Sequence, residues 1–330
     1  MPLDILIVGV GSIGERHLRC FQQQVDCRVA LVEPLESRRV DVAGRYGVEG
    51  FASLEEAGRR NWDAAVICTP AHLHIDHAVA IAPHCRGLFI EKPLATKLDD
   101  LPRLRTALAG KIYDTAYVYR AHPAVEAARK LVAAGEIGDV LQCVVTSGQH
   151  FPTFRPAYRE IYYADRRTGG GAIQDAVTHL ANLAQAFVGP FDWVFCDYDH
   201  QALEGVTVED TVHLTARAGH GRILVSIALN QFMAANESRL TLNGSRGSIR
   251  IEVPEHRYGI IRHGEAAWTF SEPLLHERDE WFGLQAKRFA EVLAGRLPPA
   301  CPLDDAVQTL AVNLAALESA GQRRVAIATR

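Results

Sequence analysis

The sequence predicts an α/β protein of two domains, of which the first is a doubly wound parallel sheet. In roughly the first third of the chain, short apolar runs alternate with segments of helical period, which is the pattern of βαβ units. A glycine-rich turn, Gly9–Gly14, directly follows the first apolar run. The chain of 330 residues is also longer than single hydrophobic cores usually grow. We therefore divide it into residues 1–120 and residues 121–330, with the last helix a candidate to pack back on the first domain.

Residues 1–120 contain six predicted strands, each a short apolar run between polar or glycine-containing segments. The third, near Val48, has the weakest pattern. The segment Ser53–Glu56 has the spacing of a capping box, in which serine and glutamate side chains bond backbone N–H groups, so we expect a helix to begin there. The other predicted strands are Ile5–Val8, Arg28–Val32, Ala64–Cys68, Leu88–Ile90 and Ala116–Val118.

The pattern changes after about residue 120. An alanine-rich segment, residues 124–134, predicts a helix that ends at Gly135, because glycine favours helix termination. Residues 192–269 have mainly the pattern of strands punctuated by glycine and asparagine. The strands predicted in this half are Val140–Ser147, Val212–Thr215, Ile223–Ala228, Arg239–Leu242, Ser248–Ile251 and Tyr258–Arg262, and the closing helices are Trp281–Leu293 and Asp304–Glu318.

The composition favours a small molecule as the partner of this chain. Its net charge is −4 and it has no basic blocks, so it lacks the electrostatic pattern of proteins that bind nucleic acid or anionic membranes. Seven scattered cysteines without a Cys-x-x-Cys pair indicate neither a disulfide framework nor a thiolate zinc site. The start, Met1–Asp4, lacks the pattern of a signal peptide, and no apolar run reaches about 18 residues. We expect a cytoplasmic protein.

The glycine-rich turn predicts a dinucleotide site. It lies between a predicted strand and a helix, and Glu33 ends the next strand about 20 residues later, which completes the fingerprint. Glu33 would accept hydrogen bonds from a ribose diol and repel a 2′-phosphate, which favours NAD over NADP. Ser37, Arg38 and Arg39 follow closely and leave NADP possible, although a solvated helix face is the simpler interpretation of the arginines. The predicted cofactor-binding residues of the turn are Gly9, Gly11, Ser12, Ile13 and Gly14.

Two further segments end predicted strands in the same way. Thr69-Pro70 follows the fourth strand, and Glu91-Lys92-Pro93 follows the fifth. In a doubly wound sheet these strand ends and the glycine turn converge on one crevice, so Lys92 is a candidate for function rather than a solvated surface lysine. Histidines at positions 72, 74 and 77 lie nearby, but no carboxylate or thiolate clusters with them, and we expect no metal site.

A second constellation lies after residue 168. Gly169–Gly171 would let the backbone pass close to a ligand, and a helical pattern follows. Asp175 and His179 are four residues apart, so they share a helix face on which the carboxylate can orient the imidazole. The alternative is a buried histidine satisfied by a nearby aspartate. The spacing alone does not decide between these two interpretations.

These motifs together resemble the Gfo/Idh/MocA oxidoreductases, the relatives of glucose-fructose oxidoreductase and inositol dehydrogenase. The resemblance covers nearly the whole chain. It implies an N-terminal Rossmann domain and a C-terminal α/β domain with a large, mostly antiparallel sheet, which often forms the oligomer interface. The matching segments are Gly9–Gly14, Cys68–Pro70 with His74, Glu91–Leu94, Tyr119–Arg120 with Pro123, Gly135–Gly138, Gly169–Gly171 with Asp175 and His179, and Ser319–Gly321 with Val325.

The resemblance also implies residue roles. Lys92, Asp175 and His179 match the catalytic residues of the family, and Thr69, Pro70, His74, Glu91 and Lys92 join the glycine turn and Glu33 as expected cofactor contacts. The chain would transfer a hydride between NAD(P) and a secondary alcohol or ketone of a sugar, polyol or sugar derivative. His179 would accept the proton, and Lys92 would stabilise the developing alkoxide. Candidate substrate contacts are Arg120, Tyr162 and Arg166.

Two alternatives stay open for the function. A non-catalytic dinucleotide-binding regulator would keep the fold without turnover, and a reductase of an imine or double bond would keep the cofactor and change the substrate. The chain also departs from the family at two positions, where Val177 and Asn182 replace a frequent glycine and aspartate. These differences bear on the substrate pocket. We further expect a homodimer or homotetramer formed through the C-terminal sheet.

Overall fold

The computed structural model describes residues 2–275 and 277–322, without the side chains of Arg278 and Gln322, so Val325 lies outside the described residues. The helices are α1 Ser12–Gln24, α2 Glu36–Tyr46, α3 Leu54–Ala57, α4 His74–Ile81, α5 Leu101–Ala107, α6 Pro123–Ala133, α7 Phe151–Phe154, α8 Thr178–Val188, α9 Arg278–Leu293 and α10 Leu303–Gln322. The strands of the first sheet are β1 Leu3–Val8, β2 Cys27–Val32, β3 Glu49–Phe51, β4 Trp62–Ile67, β5 Cys85–Ile90 and β6 Ile112–Thr115. Those of the second are β7 Val140–His150, β8 Phe191–Asp199, β9 Thr211–Ala218, β10 Ile223–Asn230, β11 Phe232–Gly244, β12 Gly247–Glu252, β13 Arg257–Arg262 and β14 Thr269–Phe270.

The chain forms two compact units. The first contains the chain up to Ala121 together with Glu277–Leu303, and the second contains residues 122–275 and 304–322. A single boundary at residue 120 does not describe this division, because α9 belongs to the first unit and α10 to the second. The reason for the placement of α9 is aromatic packing: Phe289 stacks on Phe89 of β5 with ring centroids 4.6 Å apart.

The first unit is a parallel six-stranded sheet in the order β3-β2-β1-β4-β5-β6, which confirms the predicted doubly wound, Rossmann-type architecture. Its central strands are buried along most of their length, as near-continuous apolar runs require. The helix predicted from the capping-box spacing also forms, with Ser53 as its N-cap, although Glu56 reaches back to the residue before the cap rather than to Ser53 N. Ser53 Oγ accepts from Glu56 N at 3.2 Å, and Glu56 Oε2 accepts from Ala52 N at 2.9 Å.

The sixth strand differs from its prediction. It spans Ile112–Thr115, whereas the apolar segment Ala116–Val118 leads into a 3-10 helix over Val118–Ala121. The strand contains a buried carboxylate, Asp114, which accepts backbone N–H groups from Thr115, Ala300 and Cys301. Local hydrophobicity therefore pointed to the wrong segment, because the partners that make Asp114 compatible with burial are distant in sequence.

The second unit is built on an eight-stranded sheet in the order β14-β13-β12-β11-β7-β10-β9-β8. Only the β7–β10 pair is parallel among the strand pairs described, so the sheet is mostly antiparallel, as the resemblance implied. A smaller apolar cluster supports the loop that precedes the glycine triplet, and it contains Phe151, Tyr158, Tyr163, Leu203, Val206 and Val208. Along the described part of the chain, no helix is both long enough and apolar enough to cross a membrane.

Candidate active site

The carboxyl ends of three neighbouring strands form one edge of the first sheet. In register, Val8 of β1 pairs with Ile67 of β4, and Ile67 pairs with Ile90 of β5. The backbone continues this alignment, with hydrogen bonds from Cys68 N to the Val8 carbonyl and from Glu91 N to the Ile67 carbonyl. The segments brought to this edge are the glycine turn, Thr69-Pro70 and Glu91–Pro93, as predicted from the order of the strands.

The three glycines of the turn have different reasons to be glycine. Gly9 has φ +83°, and a Cβ there would lie 2.8 Å from Thr69 Cγ2. A Cβ on Gly14 would lie 1.9 Å from the carbonyl oxygen of Gly9. By contrast, no heavy atom of the described residues lies within 4 Å of a Cβ built on Gly11. Packing within the protein therefore fixes Gly9 and Gly14, while Gly11 leaves open space in front of α1.

That open space fits a dinucleotide. The helix α1 begins with Ser12 and Ile13, and the first backbone N–H groups of a helix have no partner within the helix itself. An anion at this end is stabilised by those N–H groups and by the helix dipole. A pyrophosphate would fit this arrangement, and the absence of a side chain on Gly11 would let it approach the backbone.

Glu33 lies at the end of β2, beside the turn. Its side chain is largely buried; Oε1 accepts from Leu35 N at 3.1 Å and Oε2 from Val10 N at 3.4 Å. A carboxylate offers about four acceptor positions, so Glu33 retains capacity for a ribose hydroxyl. Arg38 Nη1 lies 3.5 Å from Glu33 Oε2, and Arg39 donates to the carbonyl oxygen of Glu33 at 2.9 Å.

His74 connects the two segments that follow β4 and β5. Its Nε2 lies 2.7 Å from the Thr69 carbonyl oxygen, and its Nδ1 lies 2.9 Å from the Pro93 carbonyl oxygen. Burial lowers the pKa of His74, and a neutral imidazole carries a single N–H that donates to one carbonyl at a time. His77 Nδ1 lies 3.1 Å from Thr69 Oγ1. Within residues 2–275 and 277–322, no group of three metal-ligating side chains is close enough to hold an ion.

The carboxylate of Glu91 is directed into the protein interior. Its Oε1 lies 2.6 Å from Nε2 of His17, a buried residue of α1 that the sequence analysis did not identify. Its Oε2 accepts from the backbone N–H of Lys92 at 3.0 Å. Glu91 thus contacts the backbone that carries Lys92, which is half-buried. No sequence motif singles out His17, because its partner is 74 residues away.

Asp175 and His179 lie on a helix whose first turn is wider than an α-helix. Residues Ile173–Val177 form a π-helical turn, and α8 continues from Thr178. The four-residue spacing predicted an α-helix over both residues, whereas the turn that carries Asp175 is π-helical; such turns frequently occur at functional sites. Both residues are half-buried, and Asp175 Oδ1 accepts from the Tyr162 hydroxyl at 2.6 Å. The structure thus brings Tyr162 and Asp175 together.

The glycine triplet packs against protein atoms. A Cβ on Gly170 would lie 2.3 Å from the Tyr163 carbonyl oxygen, and one on Gly171 would lie 2.5 Å from Oε1 of Glu209. These contacts within the protein are by themselves sufficient reason for glycine at positions 170 and 171. Gly170 packs on the Tyr163 backbone and Gly171 on Glu209, a buried carboxylate that no sequence motif singles out.

The two arginines proposed as substrate contacts have partners within their own units. Arg120 is buried in the first unit, where its Nη1 lies 3.3 Å from the Ala300 carbonyl oxygen. Arg166, in the second unit, forms an ion pair with Glu209, with Nη2 2.8 Å from Oε2. A substrate anion would therefore have to share each guanidinium with these partners.

The two departures from the family pattern are also placed by the structure. Val177 is completely buried, and Asn182 is buried with its Nδ2 donating to Thr309 Oγ1 of α10 at 2.9 Å. Both residues therefore take part in packing the helices of the second unit. Asn182 provides a hydrogen bond to α10.

Sequence and structure comparisons agree with this architecture. Residues 3–112 match a family described as "Oxidoreductase family, NAD-binding Rossmann fold", and residues 125–250 match the "GFO/IDH/MocA C-terminal domain". Levoglucosan dehydrogenase of Pseudarthrobacter phenanthrenivorans is 27% identical over 216 residues, which are 58% of this chain and 53% of that protein. The scyllo-inositol 2-dehydrogenase (NAD(+)) of Bacillus subtilis is 23% identical over an alignment of 357 positions, covering 95% of this chain and 92% of that protein.

A solved structure of levoglucosan dehydrogenase, in complex with NADH and levoglucosan, superimposes with a TM-score of 0.90 at 20% sequence identity, and the match covers 100% of both chains. At this identity the superposition establishes the fold. The two family matches together cover more than two thirds of the 330 residues, one on each domain of the fold. The chain therefore belongs to the Gfo/Idh/MocA family of NAD-binding oxidoreductases.

Proposed function

We propose that this protein transfers a hydride between NAD and a secondary alcohol or ketone of a sugar, polyol or sugar derivative. The observation that carries the proposal is the position of Lys92, whose strand β5 ends at the edge of the sheet that also holds the glycine turn and Thr69. The relatives named levoglucosan dehydrogenase and scyllo-inositol 2-dehydrogenase support a sugar or polyol as the substrate class.

The residues of the first unit fit the cofactor. Gly11 and the start of α1 would hold the pyrophosphate, and Glu33 would accept hydrogen bonds from a ribose diol. Bound NAD supplies a hydride acceptor, and NADH supplies the hydride in the reverse direction. Thr69 is held in place by His74 and His77, so this segment offers a fixed wall beside the glycine turn.

Lys92 would act through its charge. A lysine ammonium beside a reacting hydroxyl donates a hydrogen bond to the oxygen and stabilises the alkoxide that develops as the C–H bond breaks. Glu91 supports this role, because its carboxylate bonds the Lys92 N–H and fixes the backbone from which the side chain extends. A flexible lysine would lose part of this effect to reorganisation.

His179 would accept the hydroxyl proton during oxidation and return it during reduction. An unperturbed imidazole titrates at a pKa of about 6.5, which suits a general base near neutral pH. Asp175 would orient the site, and Tyr162 would in turn fix Asp175 through the 2.6 Å hydrogen bond that its hydroxyl donates. Tyr162 is 43% exposed, so its ring and hydroxyl are also accessible to a ligand.

The test is turnover of a panel of sugars and polyols with NAD, followed by NADH absorbance. With any compound that reacts, we expect Lys92→Ala and His179→Ala to lower kcat/KM by at least about 100-fold. Lys97→Ala and His72→Ala are matched controls, because both side chains are exposed and Lys97 pairs with Asp100 on the surface. Wild-type turnover by both active-site variants would refute the assigned roles. Binding of panel compounds without turnover would instead support a regulator.

We also propose that a second copy of the chain covers the outer face of the eight-stranded sheet. On this face, Trp193 of β8 lies opposite Arg217 of β9, which in turn lies opposite Leu224 of β10. Phe195 lies on the same face, two residues after Trp193 along β8. Phe195 and Leu224 are 39% and 42% exposed, although both are large and apolar. Light scattering on a sizing column should show an oligomer that Phe195→Asp dissociates. Leu297→Asp, at an equally exposed leucine of the first unit, should leave the mass unchanged.

A further inference from the structure

Glu209 is a buried carboxylate that contacts the first turn of the proposed catalytic helix of the second unit. Its side chain has no solvent exposure, and the partners of its carboxylate among the described residues are N–H donors. Oε1 accepts from the backbone N–H of Ile173 at 3.0 Å, and Oε2 accepts from Arg166 Nε at 2.9 Å and lies 2.8 Å from Arg166 Nη2. Ile173 is the first residue of the π-helical turn. One carboxylate therefore links the start of that turn to Arg166.

The backbone around Glu209 strengthens the link. Its carbonyl oxygen accepts from Ala172 N at 3.0 Å and from the Tyr163 hydroxyl at 3.3 Å. Gly171 closes over the carboxylate, since a Cβ there would lie 2.5 Å from Oε1. Gln174, the second residue of the turn, donates to the Arg166 carbonyl oxygen at 3.0 Å. The turn is therefore fixed to Glu209 at Ile173 and to the backbone of Arg166 at Gln174.

We propose that Glu209 is a positioning residue for the reaction: through Ile173 N–H and Arg166 it sets the π-helical turn that carries Asp175 and leads into α8, which carries His179. This inference rests on the proposed function. The carboxylate touches none of the reacting groups itself and acts through the backbone. Its charge is matched by Arg166, whose guanidinium also lies over the ring of Tyr198, 4.7 Å from the centroid.

A neutral amide cannot reproduce this arrangement. In Glu209→Gln, only one side-chain atom accepts, so the amide NH2 must face either the Ile173 N–H or the guanidinium of Arg166. Both outcomes place a donor against a donor in a buried site, which has a full desolvation cost. The turn would relax, and Asp175 and His179 would move with it. Displacements of about 1 Å at catalytic groups lower rates by about 100-fold.

Asp210 supplies a matched control. It is the next residue, is equally buried, and accepts backbone N–H groups from Gln201, Ala202 and Leu203. Asp210→Asn therefore disturbs a different loop with the same change of charge. Both variants should lower the melting temperature. Only Glu209→Gln should act on the catalytic turn.

The experiment compares Glu209→Gln and Asp210→Asn with the wild type in three measurements. We expect Glu209→Gln to lower kcat by about tenfold or more, with the Kd for NADH changed by less than about twofold. Amide hydrogen exchange should accelerate in a peptide spanning residues 172–180 for Glu209→Gln, and in one spanning residues 200–204 for Asp210→Asn. A kcat like that of the wild type, or unchanged exchange over residues 172–180, would overturn the inference.

The conservative pair Glu209→Asp and Asp210→Glu keeps the test decisive if the amide variants do not fold. Glu209→Asp retains the charge but shortens the side chain, so we expect a smaller loss of kcat with the same accelerated exchange over residues 172–180. Glu209→Asp and Asp210→Glu with equal kcat would argue against a positioning role. Failure of the proposed function is a separate result, because it is seen as a wild-type protein without turnover or as an active Lys92→Ala variant. The hydrogen-exchange measurement does not require turnover, so it tests the role of Glu209 in either of those two cases.

Discussion

His17 Nε2 lies 2.6 Å from Glu91 Oε1 in the interior of the first unit, with the two side chains 0% and 7% exposed. The imidazole is in edge contact with the rings of Phe89 and Phe282, whose centroids are 5.6 and 6.0 Å away. The second oxygen of Glu91 accepts the Lys92 N–H. The buried carboxylate of Glu91, next in sequence to the proposed catalytic lysine, thus has two hydrogen-bond partners: the imidazole of His17 and the backbone N–H of Lys92.

This pairing predicts unequal effects of removing its two members. His17→Phe leaves a buried carboxylate without its side-chain donor, which should cost roughly 2–3 kcal/mol of unfolding free energy. Glu91→Gln should cost less, about 1 kcal/mol, because the amide oxygen can accept from Lys92 N–H while the NH2 donates to the other tautomer of His17. Urea unfolding measures both. Equal losses in the two variants would contradict the proposed roles of the donors and acceptors.

The glycine turn gives a prediction that separates packing from ligand approach. Gly14→Ala places a methyl group 1.9 Å from the Gly9 carbonyl oxygen, so the turn must shift, and both thermal stability and NADH binding should fall. Gly11→Ala meets no described atom within 4 Å, so the melting temperature should change little. The Kd for NADH should nevertheless rise by about tenfold or more, because the methyl group takes the space of the pyrophosphate. NADH fluorescence titration and thermal melts distinguish the two. Normal NADH binding by Gly11→Ala would place the cofactor elsewhere.

The sequence alone predicted which segments lie at this edge of the first sheet, because the patterns that begin and end each strand are local. The three strands that end there, β1, β4 and β5, are apolar runs, and each is followed by a residue type that ends it, so the predicted strand order placed the segments after them at one edge. The missed features depend on partners distant in sequence. The pairs His17–Glu91 and Arg166–Glu209 join residues 74 and 43 positions apart. No local periodicity encodes such pairs, and the π-helical turn at Ile173 depends on the second of them.

The carboxylate of Glu33 should set the preference of the protein for NADH over NADPH. That carboxylate repels a 2′-phosphate, and Arg38 Nη1 is already 3.5 Å away. Glu33→Ser should remove the repulsion and release Arg38 to meet the phosphate, so the ratio of NADPH to NADH affinity should rise by about tenfold or more. Glu36→Gln removes the same charge from an exposed position nearby on α2 and should leave the ratio unchanged. Fluorescence titrations with both reduced coenzymes measure the ratio. An unchanged ratio in Glu33→Ser would mean that other residues set the preference.

Protonation of the buried His122 should make the stability of the second unit depend on pH. His122 caps α6, where its Nδ1 accepts from Ala124 N at 3.1 Å, and its Nε2 lies 3.3 Å from Nδ1 of His256. Burial, and then the proximity of His256, lower the pKa of His122 to about 3. The folded protein therefore binds fewer protons at this site than the unfolded chain between about pH 6.5 and pH 3. The stability that neutral His122 contributes is fully present above that window and is lost as the pH falls through it.

The loss should approach about 1.4 kcal/mol per pH unit within the window for a single proton. His122→Asn retains an acceptor at the helix start but does not titrate, so it should be less stable than the wild type at pH 7 and should approach it as the pH falls to 4. Urea unfolding of both proteins at pH 7, 6, 5 and 4 gives the difference directly. His256→Asn is the control: it removes the second imidazole and leaves the buried one, so most of the pH dependence should persist, because burial is the larger cause. Parallel curves for the wild type and His122→Asn would show that protonation of His122 does not limit the acid stability of this unit.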